Sequence, residues 1–224
     1  MGEKKTINFS GYVWEVRSSD HEGPGPNNWS SDNVWVDQDG YLHLKITQQN
    51  GIWYCAELYS TSMGFGEYEF YVINRIDLFD PNIVLGLFNY PTSSIGPDGT
   101  NEIDIEIARW GNSKYPNGNF TVFPAVSGLH QDSHTFNFSL NGTYTTHRFV
   151  WTSKEVYFQS LYGHGNDQQN KIADWSYKPE KNSQYIPQQP LPIHINLWLF
   201  EGRPPTDLQE VEVIISKFKF TPSS

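Results

Sequence analysis

Three carboxylates recur at every second position in the stretch TNEIDIEIARWG, residues 100–111: Glu102, Asp104 and Glu106. Ile103, Ile105 and Ile107 stand between and beyond them. A period of two predicts a β-strand with one apolar and one acidic face. The β-branched isoleucines suit a pleated, half-buried surface. At ~3.3 Å per residue the three anions fall within about 13 Å of backbone. Such crowding is unfavourable, and a strand needing only solubility would do better with mixed signs or with Thr and Ser. A solvated acidic edge strand is one reading. A hard-cation site is another, although a single strand spaces its carboxylates too widely for one ion without further ligands. The reading that uses the whole pattern is a carboxylate cluster doing acid/base and nucleophilic work in a cleft.

Such a strand needs a sheet around it, and the chain supplies the elements. Alternating runs occur at 41–47 (YLHLKIT), 68–74 (YEFYVIN), 83–90 (IVLGLFNY), 119–124 (NFTVFP), 146–152 (THRFVWT), 155–162 (EVYFQSLY), 193–200 (IHINLWLF) and 210–220 (EVEVIISKFKF). Gly, Pro and Asn punctuate them, and no segment has a helical period, which predicts an all-β sandwich or jelly roll. The polar segment 163–192 reads as one or two long loops around a short strand near ADWSY. The Gly/Pro-rich stretch 20–40, carrying Trp29 and Trp35, and the PDGTN loop before the acidic strand read as cleft rims.

A chain of 224 residues is expected to form one domain, 1–224, with a full core. Aromatic residues make up 16%, with eight Trp, thirteen Tyr and fourteen Phe. That surplus suits a carbohydrate cleft, where rings stack on sugar C–H faces, although strands also favour aromatics for packing. The formal net charge of −10 argues against nucleic acid or an anionic membrane and is compatible with a neutral partner. Cys55 is the single cysteine, so no internal disulfide forms, and it reads as a small core residue. The start, MGEKKTINFSG, lacks the apolar core of a signal peptide. A secreted or extracytoplasmic location then requires a signal removed beforehand, and a cytoplasmic one stays open. A monomer is expected.

The EIDIE segment at 102–106 resembles the E-x-D-x-E signature of glycoside hydrolase family 16. FGEYEFYV (65–72), HRFVWTSKEVYFQSLYG (147–163) and IHINLWLFEG (193–202) are similar to further landmarks of that family and follow its order. The resemblance covers roughly residues 9–220. It implies a jelly roll of two curved antiparallel sheets with the acidic strand central in the concave one. It also implies a retaining endo-glycosidase acting on a β-linked polysaccharide, such as a β-1,3-1,4-glucan or related β-glucan. A non-catalytic sugar-binding jelly roll and a transglycosylase are the alternatives.

Carried over by position, the resemblance makes Glu102 the nucleophile, Asp104 its assistant and Glu106 the acid/base, kept protonated near neutral pH by its like-charged neighbours. No residue is inserted between Asp104-Ile105 and Glu106, a form similar to lichenases and xyloglucan-active members. Glu57, Trp110, Asn196 and Trp198 fall where the family places substrate-binding residues; the tryptophans also suit a core, and Asn196 a structural hydrogen bond. The chain departs from the lichenase pattern at Tyr59, where an arginine is expected, and at Ser216, where an aspartate helps hold a structural calcium. The chemistry itself needs no metal or organic cofactor, and a structural calcium is the one such group the resemblance allows.

Overall fold

The computed structural model describes residues 4–224, so the first three residues of the domain expected at 1–224 lie outside the described residues. Its strands are, in chain order, β1 (Thr6–Phe9), β2 (Tyr12–Val16), β3 (Ser19–Glu22), β4 (Asn27–Trp29), β5 (Val34–Val36), β6 (Leu42–Gln49), β7 (Ile52–Met63), β8 (Gly66–Ile73), β9 (Ile83–Asn89), β10 (Glu102–Ile107), β11 (Gly118–Phe123), β12 (Asp132–Phe136), β13 (Tyr144–Trp151), β14 (Val156–Tyr162), β15 (Lys171–Tyr177), β16 (Leu191–Leu199) and β17 (Val211–Pro222). A four-residue helix, α1, covers Asn182–Tyr185.

Two antiparallel sheets face each other. The first has the order β1-β2-β7-β16-β9-β10-β11-β12. The second has the order β5-β6-β17-β8-β13-β14-β15. β6 belongs to both: residues 42–46 pair with β17 and 47–49 with β7. Short β4 runs parallel to β7. The result is an all-β jelly-roll sandwich of two curved antiparallel sheets.

Alternation decides which side chains enter the core. Leu42, Leu44 and Ile46 of β6, Ile103, Ile105 and Ile107 of β10, and Ile193, Ile195 and Leu197 of β16 all point between the sheets and are buried. Aromatic rings from the two sheets meet there, for example Trp14 edge-on to Phe218 and Phe120 stacked on Phe158. Cys55 is buried as expected, and burial pushes its thiol up to about 12, so it is no nucleophile at neutral pH.

The two tryptophans assigned to a cleft rim sit elsewhere. Trp29 is buried, its Nε1 donating to the Glu22 carbonyl at 3.1 Å and its ring lying 4.1 Å beneath the Arg17 guanidinium. Trp35 stacks on His43 in the second sheet at 4.8 Å. Both positions follow from strand pairing of β4 and β5 inside a segment that reads as loop because Gly and Pro interrupt it. Within 163–192 the ADWSY strand is β15, longer than expected at seven residues. Ser216, on β17, brings no carboxylate, and its hydroxyl donates to the Tyr71 carbonyl at 3.4 Å. Among the described residues no group of three or more His, Cys, Asp or Glu side chains is placed to hold a metal ion.

Candidate active site

β10 lies between β9 and β11, and its register with both runs without interruption. No bulge rotates a residue out of phase, so Glu102, Asp104 and Glu106 all face away from the core. The cross-strand rows then dictate their neighbours. One row runs Tyr59, His194, Phe88, Asp104 and Thr121 across β7, β16, β9, β10 and β11. The next runs Glu57, Asn196, Gly86, Glu106 and Asn119. From these rows His194, Phe88, Asp104, Glu57, Asn196 and Glu106, together with Glu102, Tyr90, Asp98, Trp110, Trp198 and Arg17, line a cleft of about 600 Å³. Gly23 and Pro24 of the β3–β4 loop form part of its wall.

The three acids titrate differently. Burial pushes Glu102 up to about 7; the adjacent Asp104 carboxyl opposes that rise by hydrogen bonding, while Asp98 and Glu57 add to it. Asp104 is raised well above the usual carboxylate range, first by burial and then by Glu102 and Glu106. Burial, followed by the Glu102 charge, pushes Glu106 up to about 8. Both glutamates retain some solvent contact at the cleft surface, yet the surrounding protein is dense enough for desolvation to dominate. Burial thus outranks like-charge repulsion, the cause expected from the sequence. Asp104 Oδ2 is buried and has no donor of its own. A proton retained on Asp104 and donated to Glu102 satisfies both groups.

Glu57 sits deeper. Arg17 Nη1 donates to its Oε1 at 3.0 Å and Asn196 Nδ2 to its Oε2 at 2.9 Å. Burial drives its carboxyl up, but His194, Arg17 and Asn196 together outweigh that, and the net direction is downward. The Asn196 amide lies across Gly86: a Cβ on that glycine would come within 2.3 Å of Asn196 Oδ1. Oδ1 itself is buried without a donor. His194 is sandwiched between Tyr59 and Phe88, with ring centroids 5.2 Å away on each side. Trp198 is only 9% exposed and belongs largely to the core, whereas Trp110 is half-buried, 6.4 Å from it, and donates from Nε1 to Asn119 Oδ1 at 3.3 Å.

The structure therefore brings Glu102, Asp104, Glu106, Glu57, Trp110, Asn196 and Trp198 to one cleft. Tyr59, which stands where an arginine was expected, gives its hydroxyl to Glu15 at 2.6 Å. Arg17, on the neighbouring chain segment, reaches Glu57 with a guanidinium. Arg17, Phe88, Tyr90 and His194 are cleft residues that sequence reasoning missed, whereas Asp98 belongs to the PDGTN loop read as a cleft rim. Period two would have found His194 two positions before Asn196, and Phe88 and Tyr90 two positions apart on one face. Arg17 leaves no such trace.

No protein-family model and no curated protein matches the sequence. Solved structures do match. A Bacillus licheniformis β-glucanase shares 21% identity over 99% of both chains, with a TM-score of 0.69. A Bacteroides ovatus glycoside hydrolase family 16 protein from a mixed-linkage glucan locus, solved with a G4G4G3G product, shares 14% over 96% of this chain and 98% of its own, at 0.72. A Mycobacterium tuberculosis protein described as an immunostimulatory antigen and pseudo β-1,3-glucanase shares 18% over 94% and 91%, at 0.70. The chain has the jelly-roll fold of glycoside hydrolase family 16.

Proposed function

We propose that the protein is a retaining endo-glycosidase that hydrolyses internal bonds of a β-linked glucan, with mixed-linkage β-1,3-1,4-glucan as the first substrate to test. The observation that carries this reading is the unbulged acidic strand on the cleft floor, whose two glutamates titrate near 7 and near 8. Retaining glycosidases need one ionised and one protonated carboxyl flanking the scissile bond. Glu102, the more acidic of the two, attacks the anomeric carbon and forms a glycosyl-enzyme. Glu106 gives its proton to the leaving oxygen and then takes one from the incoming water. Asp104, holding a proton toward Glu102, steadies the carboxylate before attack and the ester oxygen after it. Among the described residues lining the cleft the one arginine, Arg17, is committed to Glu57, Glu22 and the Gly23 carbonyl. That supports a neutral chain, the kind of ligand seen in the Bacteroides neighbour.

The test is a polysaccharide panel with viscosity and reducing-end assays, followed by azide rescue. Mixed-linkage glucan viscosity should fall faster than reducing ends appear. Glu102→Ala should lose hydrolysis, with azide restoring cleavage to an inverted product. Glu106→Ala should accept an activated glycoside, with azide releasing a product of retained configuration. Asp104→Asn should be slowed but active. Intact glucans at high protein load, with oligosaccharides still bound, would identify a sugar-binding jelly roll instead. Products longer than the starting chain would identify a transglycosylase.

A further inference from the structure

The cleft floor is the first sheet; the second sheet carries a separate hollow of about 810 Å³ where β13 begins and β14 ends. Ser139, Leu140, Asn141, Thr143, Tyr144 and Tyr162 line it, and none of them lines the cleft. Its backbone is pinned from several sides. Asn117 Nδ2 donates to the Phe138 carbonyl at 3.0 Å, and Asn117 Oδ1 accepts from the Phe138 N–H at 3.0 Å. The Leu140 N–H donates to Asp77 Oδ2 at 2.9 Å, and Arg75 Nε holds Asp77 Oδ1, also at 2.9 Å. The Asn74 N–H donates to the Thr143 carbonyl at 2.9 Å and the Gly163 N–H to the Tyr144 carbonyl at 2.8 Å. The side chains show the opposite pattern. Ser139, Asn141, Thr143, Tyr144 and Tyr162 are exposed, and among the described residues their polar atoms have no protein partner. The Tyr144 ring is nonetheless fixed. His164 lies flat against it, with centroids 4.4 Å and planes 8° apart, and His164 Nε2 donates to the Val72 carbonyl at 3.0 Å. Tyr144 stays 53% exposed, so one face of a held ring is open to solvent.

We propose that this hollow is a second, non-catalytic glycan-binding site that holds a neutral polysaccharide on the second sheet while the cleft works on the first. The chemistry of the lining selects the ligand class. A phosphorylated, sulfated or carboxylated ligand calls for a cation, and no charged residue lines the hollow. The net charge of −10 adds a general penalty for anions. A metal ion calls for carboxylates or imidazoles, and the lining has neither. What the lining offers is two aromatic rings together with hydroxyls and one amide, all able to donate and accept. A neutral pyranose presents the matching surface, an apolar C–H face and a rim of hydroxyls. Tyr144 and Tyr162 would take the face, and Ser139, Asn141 and Thr143 the rim. The pinned backbone means that little order has to be created on binding. The choice of glucan as the chain rests on the glycosidase reading; the site itself does not.

The experiment separates long-chain binding from events in the cleft. Native gels cast with soluble mixed-linkage glucan read binding as retardation, using full-length Glu106→Gln protein so that the glucan stays whole. Adding Tyr144→Ala or Tyr162→Ala should weaken the affinity read from retardation about two- to tenfold, the worth of one ring contact. Tyr144→Phe, which keeps the ring, should retain most of it. Tyr41→Ala removes an exposed ring outside the hollow and should change nothing. With Glu106 intact, Tyr144→Ala should leave KM and kcat for a tetrasaccharide as they are. An equal loss on tetrasaccharide and long chain would put the effect in the cleft and overturn the site. Unchanged retardation in both tyrosine variants of a protein that cleaves glucan overturns the site and leaves the glycosidase reading standing. Retardation that depends on Tyr144, in a protein whose wild type cleaves no glucan, keeps the site and removes the glycosidase. No retardation at all removes the site, and absence of cleavage beside it removes both.

Discussion

Placing a methyl group on Gly86 should disturb a residue two strands away from the acidic strand in a calculable way. Gly86 faces Asn196 on one side and Glu106 on the other. It does not lie in the left-handed region, so alanine there strains no backbone. The added Cβ would meet Asn196 Oδ1 at 2.3 Å and the Phe88 ring at 3.2 Å. The ring needs to yield only a few tenths of an ångström, but the amide must leave. Its departure breaks the 2.9 Å hydrogen bond to Glu57. A bond to a buried carboxylate is worth about 1.5–3 kcal/mol. The lower chain entropy of unfolded alanine returns about 0.4–1 kcal/mol. The net loss is about 1–2 kcal/mol, or about 2–8 °C in melting temperature for a chain of this size. A double-mutant cycle with Asn196→Ala, followed by thermal denaturation, checks the cause. In the Asn196→Ala background, Gly86→Ala should cost nothing or stabilise slightly. An equal loss in both backgrounds would refute the idea that the glycine exists to seat the amide.

Hydrolysis should have a narrow bell-shaped pH profile, rising as Glu102 ionises near 7 and falling as Glu106 loses its proton near 8, with both limbs belonging to the coupled acids together; a broad plateau from pH 4 to 7 would contradict the titration order. His43 is held between Asp37 at 2.7 Å and Glu212 at 2.6 Å. Burial lowers its affinity for a proton, but the two carboxylates outweigh that and raise it above 6.5. Its contribution is present below pH 6.5 and fades as pH rises through the raised value, so urea unfolding should show a decline above pH 6.5 that His43→Gln removes. Trp198→Ala should cost about 3–5 kcal/mol of stability as a core truncation, whereas Trp110→Ala should chiefly weaken glucan binding, and equal drops in melting temperature would dismiss Trp110 as a sugar platform.

Sequence pattern reached furthest where one face of a strand is apolar. The isoleucines of β10 gave both the strand and the side on which Glu102, Asp104 and Glu106 emerge, whereas Asn196 and Trp198 on β16 were reached through the family resemblance. It failed in short strands such as β3 and β4, whose three or four residues carry no measurable period and whose place is set by Asn27 Nδ2 bonding the distant Leu199 carbonyl. Gly86 and Arg17 were invisible for a related reason. A glycine in an apolar run, or an arginine after a strand, acquires meaning only from what the register puts opposite it.

The insertion of β16 between β7 and β9 has a consequence for how the chain is made. Glu57 and Asn196, which touch in the finished cleft, are 139 positions apart. A ribosome releases the whole acidic strand well before the strand that brings Glu57 beside it. Until then β7 and β9 each present an unpaired edge, the kind of surface that recruits other strands. Contacts of such long range also fold slowly. A nascent chain can thus carry all three acids and still lack a finished cleft, and its need for protection from aggregation is greatest in that interval.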